Sequence, residues 1–272
     1  MKGLFFAAAL LAVTPVMLTA QAPMRVAGLE VSEPTPIVEL DMGKLKGEPF
    51  RLAWSPDGSQ FYVQTLEGSF ADASTGRANA KLRHYLFEAA PGGAKKDVPG
   101  PPDWFAEYWN NKNAQYPQGA PSLRIEAKNE QRRQTTTSAP TGGDLARGGV
   151  VPGESGTSAG DVGAAAVATQ TVSVTTMVYK EEKIGEFVNT VMVPGLTYGW
   201  GPKGSNVLAF AAVGSGRITI VDEQGDKLPI QSSKEGLLPA WSHDGTKLAW
   251  LQKDGRKKYQ LYVATVNRKA GL

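Results

Sequence analysis

One unit recurs three times in this chain, and it limits the possible folds more than any other feature. Trp54-Ser55-Pro56-Asp57-Gly58, Trp200-Gly201-Pro202-Lys203-Gly204 and Trp241-Ser242-His243-Asp244-Gly245 align without gaps. Each runs on through Ser or Thr into an apolar stretch. Ser-Pro-Asp-Gly prescribes a tight turn, because Pro fixes φ, Asp tolerates the next position and Gly closes the bend. The apolar stretch shows no polar alternation, as expected of a strand buried on both faces. The unit is therefore strand, tight turn, buried strand. Third strands are expected at residues 217–221 and 259–264, behind the hairpin turns Gly214-Ser215-Gly216 and Lys253-Asp254-Gly255-Arg256. A fourth strand is expected after Asp222-Glu223-Gln224-Gly225.

Trp200 and Trp241 lie about 40 residues apart, and four strands in about 40–45 residues is the size of one β-propeller blade. The three copies resemble the WD-like repeats of the periplasmic TolB type. The resemblance is carried by Trp54, Pro56, Asp57 and Gly58, by Trp200 and Gly204, and by Trp241, Asp244 and Gly245 with Leu261-Tyr262-Val263. It covers about half of the chain and implies architecture rather than function. Members of that family carry six blades and an N-terminal α/β domain. Here Lys203 and His243 depart from the turn pattern, and the chain is too short for six blades. The expected fold is all-β: a small propeller of four or five four-stranded blades, with one short helix and one long low-complexity loop.

Clear blades are expected near 51–98, 197–234 and 237–267, within a propeller domain at 36–272. The first should carry an inserted loop at 67–80. The last has only three strands, so residues 36–42 are expected to close it from the N-terminus as its outermost strand, hiding a strand edge. Residues 104–195 should form an interrupted blade. It opens with a helix to about residue 113, since Trp104/Tyr108 and Phe105/Trp109 are i,i+4 pairs behind Asp103 as N-cap. The alternative there is a degenerate blade start, because Trp109-Asn110-Asn111-Lys112-Asn113 mimics the repeat turn. Residues 135–168 are dominated by Gly, Ala, Ser and Thr, too poor in large apolar groups to pack a core.

Composition narrows the function classes. The chain has no Cys among 272 residues, which excludes disulfides, zinc–thiolate sites and a thiol nucleophile. Its net charge of +3 gives no reason to expect nucleic acid. Lys2, the apolar run 4–18 and Ala20-Gln21-Ala22 read as a secretory signal peptide over 1–22, cleaved after Ala22. That implies a bacterial periplasmic or secreted protein without a transmembrane segment after cleavage. Residues 23–35 read as a flexible leader.

No catalytic, metal or cofactor set emerges. Gly156-Thr157-Ser158-Ala159-Gly160 spells a nucleophile elbow, but it lies where such a match arises by composition alone. His84 and His243 stand apart and read as satisfied or surface side chains. The aromatic group Trp104, Phe105, Tyr108 and Trp109 is the candidate partner-binding surface, since aromatic anchors concentrate at binding hot spots. Such a stripe more often docks its own helix. The expected function is non-catalytic binding of a protein or peptide in the cell envelope, with an oligomer if the ring is incomplete. The alternatives are a propeller-based hydrolase or lyase and a remnant of a propeller peptidase.

Overall fold

The computed structural model describes residues 23–68, 80–113, 123–134, 168–188 and 197–269. The expected signal peptide, the elbow motif and nearly all of the low-complexity loop lie outside these residues. Among those described, the architecture is four antiparallel sheets and two short helices.

The chain enters through a 3-10 turn at Val26–Gly28, then β1 (Leu29–Val31) and β2 (Thr35–Asp41). A one-turn helix, α1 (Met42–Leu45), follows, begun by the Asp41 carboxylate accepting from the Gly43 N–H at 2.9 Å. Sheet I is the meander β3 (Glu48–Trp54), β4 (Gln60–Glu67), β5 (Lys81–Glu88) and β6 (Lys95–Val98). Helix α2 (Phe105–Asn113) comes next, where the sequence predicts a helix. Sheet II has three strands, β7 (Arg124–Gln134), β8 (Ala168–Tyr179) and β9 (Glu182–Val188). Sheet III is the meander β10 (Tyr198–Trp200), β11 (Leu208–Ala211), β12 (Ile218–Val221) and β13 (Lys227–Pro229). Sheet IV is β14 (Gly236–Trp241), β15 (Lys247–Lys253) and β16 (Lys258–Arg268).

The long last strand is covered on its outer edge by both N-terminal strands. β2 pairs antiparallel along Lys258 to Val263, as the sequence predicts, so the two ends of the chain share one sheet. β1 pairs with Val266 to Arg268. The stretch expected to be a flexible leader is therefore packed. Met24, Val26 and Leu29 are buried against sheets III and IV. The Met24 N–H donates to the Ser205 carbonyl at 2.7 Å, and the Val26 N–H donates to the buried Asp222 carboxylate at 3.1 Å. Arg25 pairs with Glu223 at 2.8 Å. Met24 and Val26 flank the exposed Arg25, and the 3-10 turn Val26–Gly28 then brings Leu29 onto the buried side.

The turns explain why the repeat exists. In the first copy the Asp57 carboxylate accepts from the Ser55 hydroxyl (2.6 Å), the Ser59 N–H (3.1 Å) and the Ser59 hydroxyl (2.7 Å). Asp244 does the same with Ser242 (2.6 Å) and with the N–H (3.0 Å) and hydroxyl (2.8 Å) of Thr246. Gly58 and Gly245 hold φ of 70° and 71°, which only glycine adopts without strain. These hydrogen bonds hold the Asp57 carboxyl down at about 2. At Asp244 burial pushes the pKa up, but the bonds from Ser242 and Thr246 prevail and the net shift is downward.

The middle copy departs from its siblings. Lys203 supplies no carboxylate, the turn closes from the Ser205 N–H to the Pro202 carbonyl, and Asn206 takes φ of 56°. Trp54 faces Phe61 and Trp241 faces Leu248, but Trp200 faces Leu208. The middle turn is thus one residue longer, and the gapless alignment fails after Ser205.

Sheets III and IV meet through an apolar layer that includes Val207, Ile218, Ile220, Leu248 and Trp250. The largest core cluster takes Trp54, Phe61 and Phe87 from sheet I, Tyr179 and Phe187 from sheet II, Trp200 and Phe210 from sheet III, and Leu251 and Leu261 from sheet IV. β3 and β10, the first strands of sheets I and III, both touch β14.

Candidate binding site

The second face of sheet I is built differently. Strand alternation places residues two apart on one face. Register then lines Arg51 on β3 opposite Gln64 on β4, and Gln64 opposite His84 on β5. The next row on that face is Ala53, Tyr62 and Leu86. Among the described residues, the apolar cluster here contains only sheet I and the α2 segment: Ala53, Tyr62, Leu86, Trp104, Phe105, Tyr108 and Trp109.

Helix α2 is fastened over the C-terminal ends of β10 and β14. The Tyr108 hydroxyl donates to the Trp241 carbonyl at 3.1 Å, and Asn111 Nδ2 donates to the Gly201 carbonyl at 3.4 Å. Trp54 Nε1 donates to the Ala240 carbonyl at 3.0 Å, tying sheet I to sheet IV at the same place. Phe105 is buried, with its ring centroid 4.5 Å from that of Tyr62 and 5.7 Å from that of Trp109. The stripe therefore docks the helix through Phe105 and Tyr108, while Trp104 and Trp109 stay half-exposed.

Polar groups converge beneath this helix. Gln64 Nε2 donates to the Tyr62 oxygen at 3.0 Å and lies 3.3 Å from His84 Nδ1. The Tyr62 hydroxyl lies 2.7 Å from the same nitrogen. With both groups donating, Nδ1 presents its lone pair and the ring proton sits on Nε2. The neutral ring agrees with a pKa lowered by burial and then by Arg51. Burial raises the Tyr62 phenol to about 12. His84 is a satisfied histidine, as expected. His243 lies apart from it, exposed on its turn with its ring 5.5 Å from that of Tyr108.

Two cations complete the site. The Arg51 guanidinium lies 4.7 Å from the Trp109 ring centroid and 4.9 Å from that of Phe50. Lys112 Nζ lies 5.6 Å from the Trp109 centroid. Lys112 is only 2% exposed, and its Nζ has no hydrogen-bond partner. Arg51 Nε and Gln64 Oε1 are likewise buried without partners. Burial alone pushes the Lys112 ammonium down to about 7. Burial also lowers Arg51, against a smaller opposing effect of Tyr62. The Lys112 stem fits because β10 carries Gly199. A Cβ there would lie 2.6 Å from the Pro239 carbonyl oxygen and 3.3 Å from Lys112 Cε.

Of the sequence-derived residues, the structure brings Trp104, Phe105, Tyr108 and Trp109 together with His84 on this face. The repeat residues Trp54, Trp200 and Trp241 are core, with Trp200 edge-on to Tyr179 at 5.3 Å. Arg51, Gln64 and Lys112 carry no site motif in the sequence. Strand register would have paired the first two with His84. Among the described residues no group of three or more His, Asp or Glu could hold a metal, and no helix is long and apolar enough to cross a membrane.

No family model matches the chain, and no curated protein matches it. Among solved structures it is similar to TolB from Acinetobacter baumannii, at 11% identity with a TM-score of 0.24. That match covers 83% of this chain and 45% of the other, so the chain spans less than half of that protein's length. A likeness of this size says nothing about site or partner.

Proposed function

We propose that this chain is a small four-bladed β-propeller, exported to the bacterial cell envelope, that binds a protein or peptide without covalent chemistry. Four antiparallel sheets, with the first strands of sheets I and III both packed on β14 of sheet IV and β9 of sheet II on β11 of sheet III, support the propeller reading. One observation carries the binding reading: Trp104 and Trp109 stand half-exposed on the face of sheet I that α2 covers, with Arg51 against the Trp109 ring. Aromatic rings with an arginine are the side chains that dominate interface energetics.

A photo-crosslinking residue at position 104, in the full chain within its own envelope, tests this. One reproducible protein adduct is expected, lost when Trp109 is also replaced by Ala. Absence of any adduct above the level of a surface control position overturns the reading.

The Tyr62–His84 contact favours a second reading, an enzyme with His84 as proton carrier. It is the weaker one, because a phenol at about 12 and a neutral imidazole with its lone pair already engaged make a poor acid–base pair. If His84→Ala and His243→Ala both leave every screened hydrolytic and eliminating activity unchanged, the enzyme reading goes.

A further inference from the structure

We propose that the Arg51–Lys112 pair beside Trp109 is a carboxylate-binding site, and that its occupant is an acidic side chain of a partner peptide. The inference rests on the binding-module reading and names the group that reading leaves open.

Three observations carry it. First, both cations lie against one ring, that of Trp109, and no carboxylate among the described residues acts on either. A cation taken out of water without a counter-charge is costly, and proteins ordinarily pair such a group. Elsewhere the chain does so: Arg25 has Glu223, Arg83 has Glu67, and Lys258 has Glu39. Second, the orphaned atoms have the right chemistry. Arg51 Nε and Lys112 Nζ are donors suited to an anion, and Gln64 Oε1 is an acceptor that can take a peptide N–H. Third, burial is graded across the group: Arg51, His84, Trp104 and Trp109 are half-buried, and Lys112 is buried.

A carboxylate arriving on Arg51 gains charge-assisted hydrogen bonds. The four-carbon stem of Lys112 lets its ammonium turn toward the same anion. Residues flanking the acidic side chain would then pack on the two half-exposed indoles. An acidic peptide fits better than a free inorganic anion, because the indoles and the Gln64 acceptor have nothing to do for a bare ion.

The test uses the full chain and three probes: the peptide acetyl-Gly-Asp-Gly-amide, its Asn isostere, and free glucuronate. Binding is read from Trp fluorescence and from the Lys112 Cε NMR signal. The Asp peptide is expected to bind at least about tenfold more tightly than the Asn peptide. It should also raise the Lys112 pKa, because an anion favours the charged amine. Arg51→Gln and Lys112→Met should each abolish the Asp preference. Lys112→Met keeps the stem volume and removes a buried charge, so it folds and isolates the charge effect.

Equal affinity for the Asp and Asn peptides overturns the carboxylate site while leaving the binding module standing. So does the absence of any response to either peptide when the position-104 adduct is still recovered. Glucuronate binding in preference to the Asp peptide transfers the site to an acidic sugar and overturns the peptide assignment. Loss of the adduct alone overturns the binding-module reading instead, so the two failures are distinct.

Discussion

Sheets I and III grow from the same repeat unit and end as different objects. Both are four-stranded meanders whose second strand follows a Trp and a turn. Sheet III is dry on both faces. Tyr198, Trp200, Leu208 and Phe210 enter the main core, and Val207, Ala209, Ile218 and Ile220 pack toward sheet IV. Sheet I is dry on one face only. Its other face carries Arg51, Gln64, Tyr62 and His84, covered by a helix with Lys112 beneath it. The difference separates two uses of one scaffold. A face packed sheet on sheet adds stability in proportion to the apolar area it hides. A face packed on a helix leaves room for polar groups whose partners come from elsewhere.

The largest effect that sharpens this contrast is on the dry side. Ile220 is fully buried, in one cluster with Ala209, Leu248 and Trp250. Ile220→Ala should cost about 2–5 kcal/mol, because the transfer term is lost and a cavity remains. Denaturant unfolding at constant m-value measures it. A cost below about 1 kcal/mol would mean that sheets III and IV do not meet in a tight layer.

On the other sheet the sign should reverse. Lys112→Met removes an unpaired buried cation and keeps the volume, so it should stabilise the chain by about 1–3 kcal/mol at pH 6. The pH dependence follows from the shift. The folded pKa, about 7, lies below the ordinary lysine value of 10.5. Between those values the unfolded chain holds a proton that the folded chain has released. Wild-type stability therefore rises with pH from about 7 to about 10.5, and the advantage of the Met variant shrinks over the same window. Unfolding midpoints of both proteins at pH 6, 8 and 10 check this. A constant difference, or a wild type that is the more stable at pH 6, would mean Lys112 has a counter-charge.

Turn residues and Trp spacing were enough to locate sheets I, III and IV. The aromatic i,i+4 pairs located α2, and the need to hide the β16 edge located β2. These signals are local, or are forced by an unpaired edge. Arg51, Gln64 and His84 escaped notice as a group because they lie on three strands and meet only through register, which no local pattern states. Lys112 stands in the stretch Trp109-Asn110-Asn111-Lys112-Asn113 that mimics the repeat turn, and nothing local marks it as buried. Its stem packs against Gly199, distant in sequence, where a Cβ would lie 3.3 Å from Lys112 Cε. The segment before β1 was misread because its partners, Ser205, Asp222 and Glu223, lie about 200 residues on.

Asp57→Ala should lower the melting temperature by less than Ile220→Ala does. It removes the acceptor for Ser55 and Ser59 in an exposed turn and creates no cavity. Its pH signature has the sign opposite to that of Lys112. The depressed carboxyl contributes stability above the ordinary Asp value of 3.8, and loses it as pH falls through about 2. Wild type and variant should therefore converge in thermal scans between pH 4 and pH 2. A gap that persists at pH 2 would assign the loss to something other than the carboxylate.

The smallest expected effect comes from giving sheet III the residue its siblings have. If letter matching governed these turns, Lys203→Asp would restore the carboxylate network and stabilise the chain. The turn geometry argues otherwise. The sibling networks need a Ser hydroxyl at the residue after the Trp, and here that residue is Gly201. A Cβ on Gly201 would lie 2.5 Å from Ser205 Oγ and 2.7 Å from Val207 Cγ2, so the missing Ser cannot be supplied. A carboxylate at position 203 would need the Ser205 N–H, which is already given to Pro202, and the Ser205 carbonyl holds Met24. The extra residue at Asn206 sends that side chain to Glu223, at 2.8 Å, where Arg25 also binds. This turn is shaped to receive the N-terminal segment, and an acidic group there has nothing to gather. Lys203→Asp should change stability by no more than about 0.5 kcal/mol, as for an ordinary surface substitution. A gain above about 1 kcal/mol would show that the two kinds of turn still interconvert, and that the contrast between sheets I and III stops at their second faces.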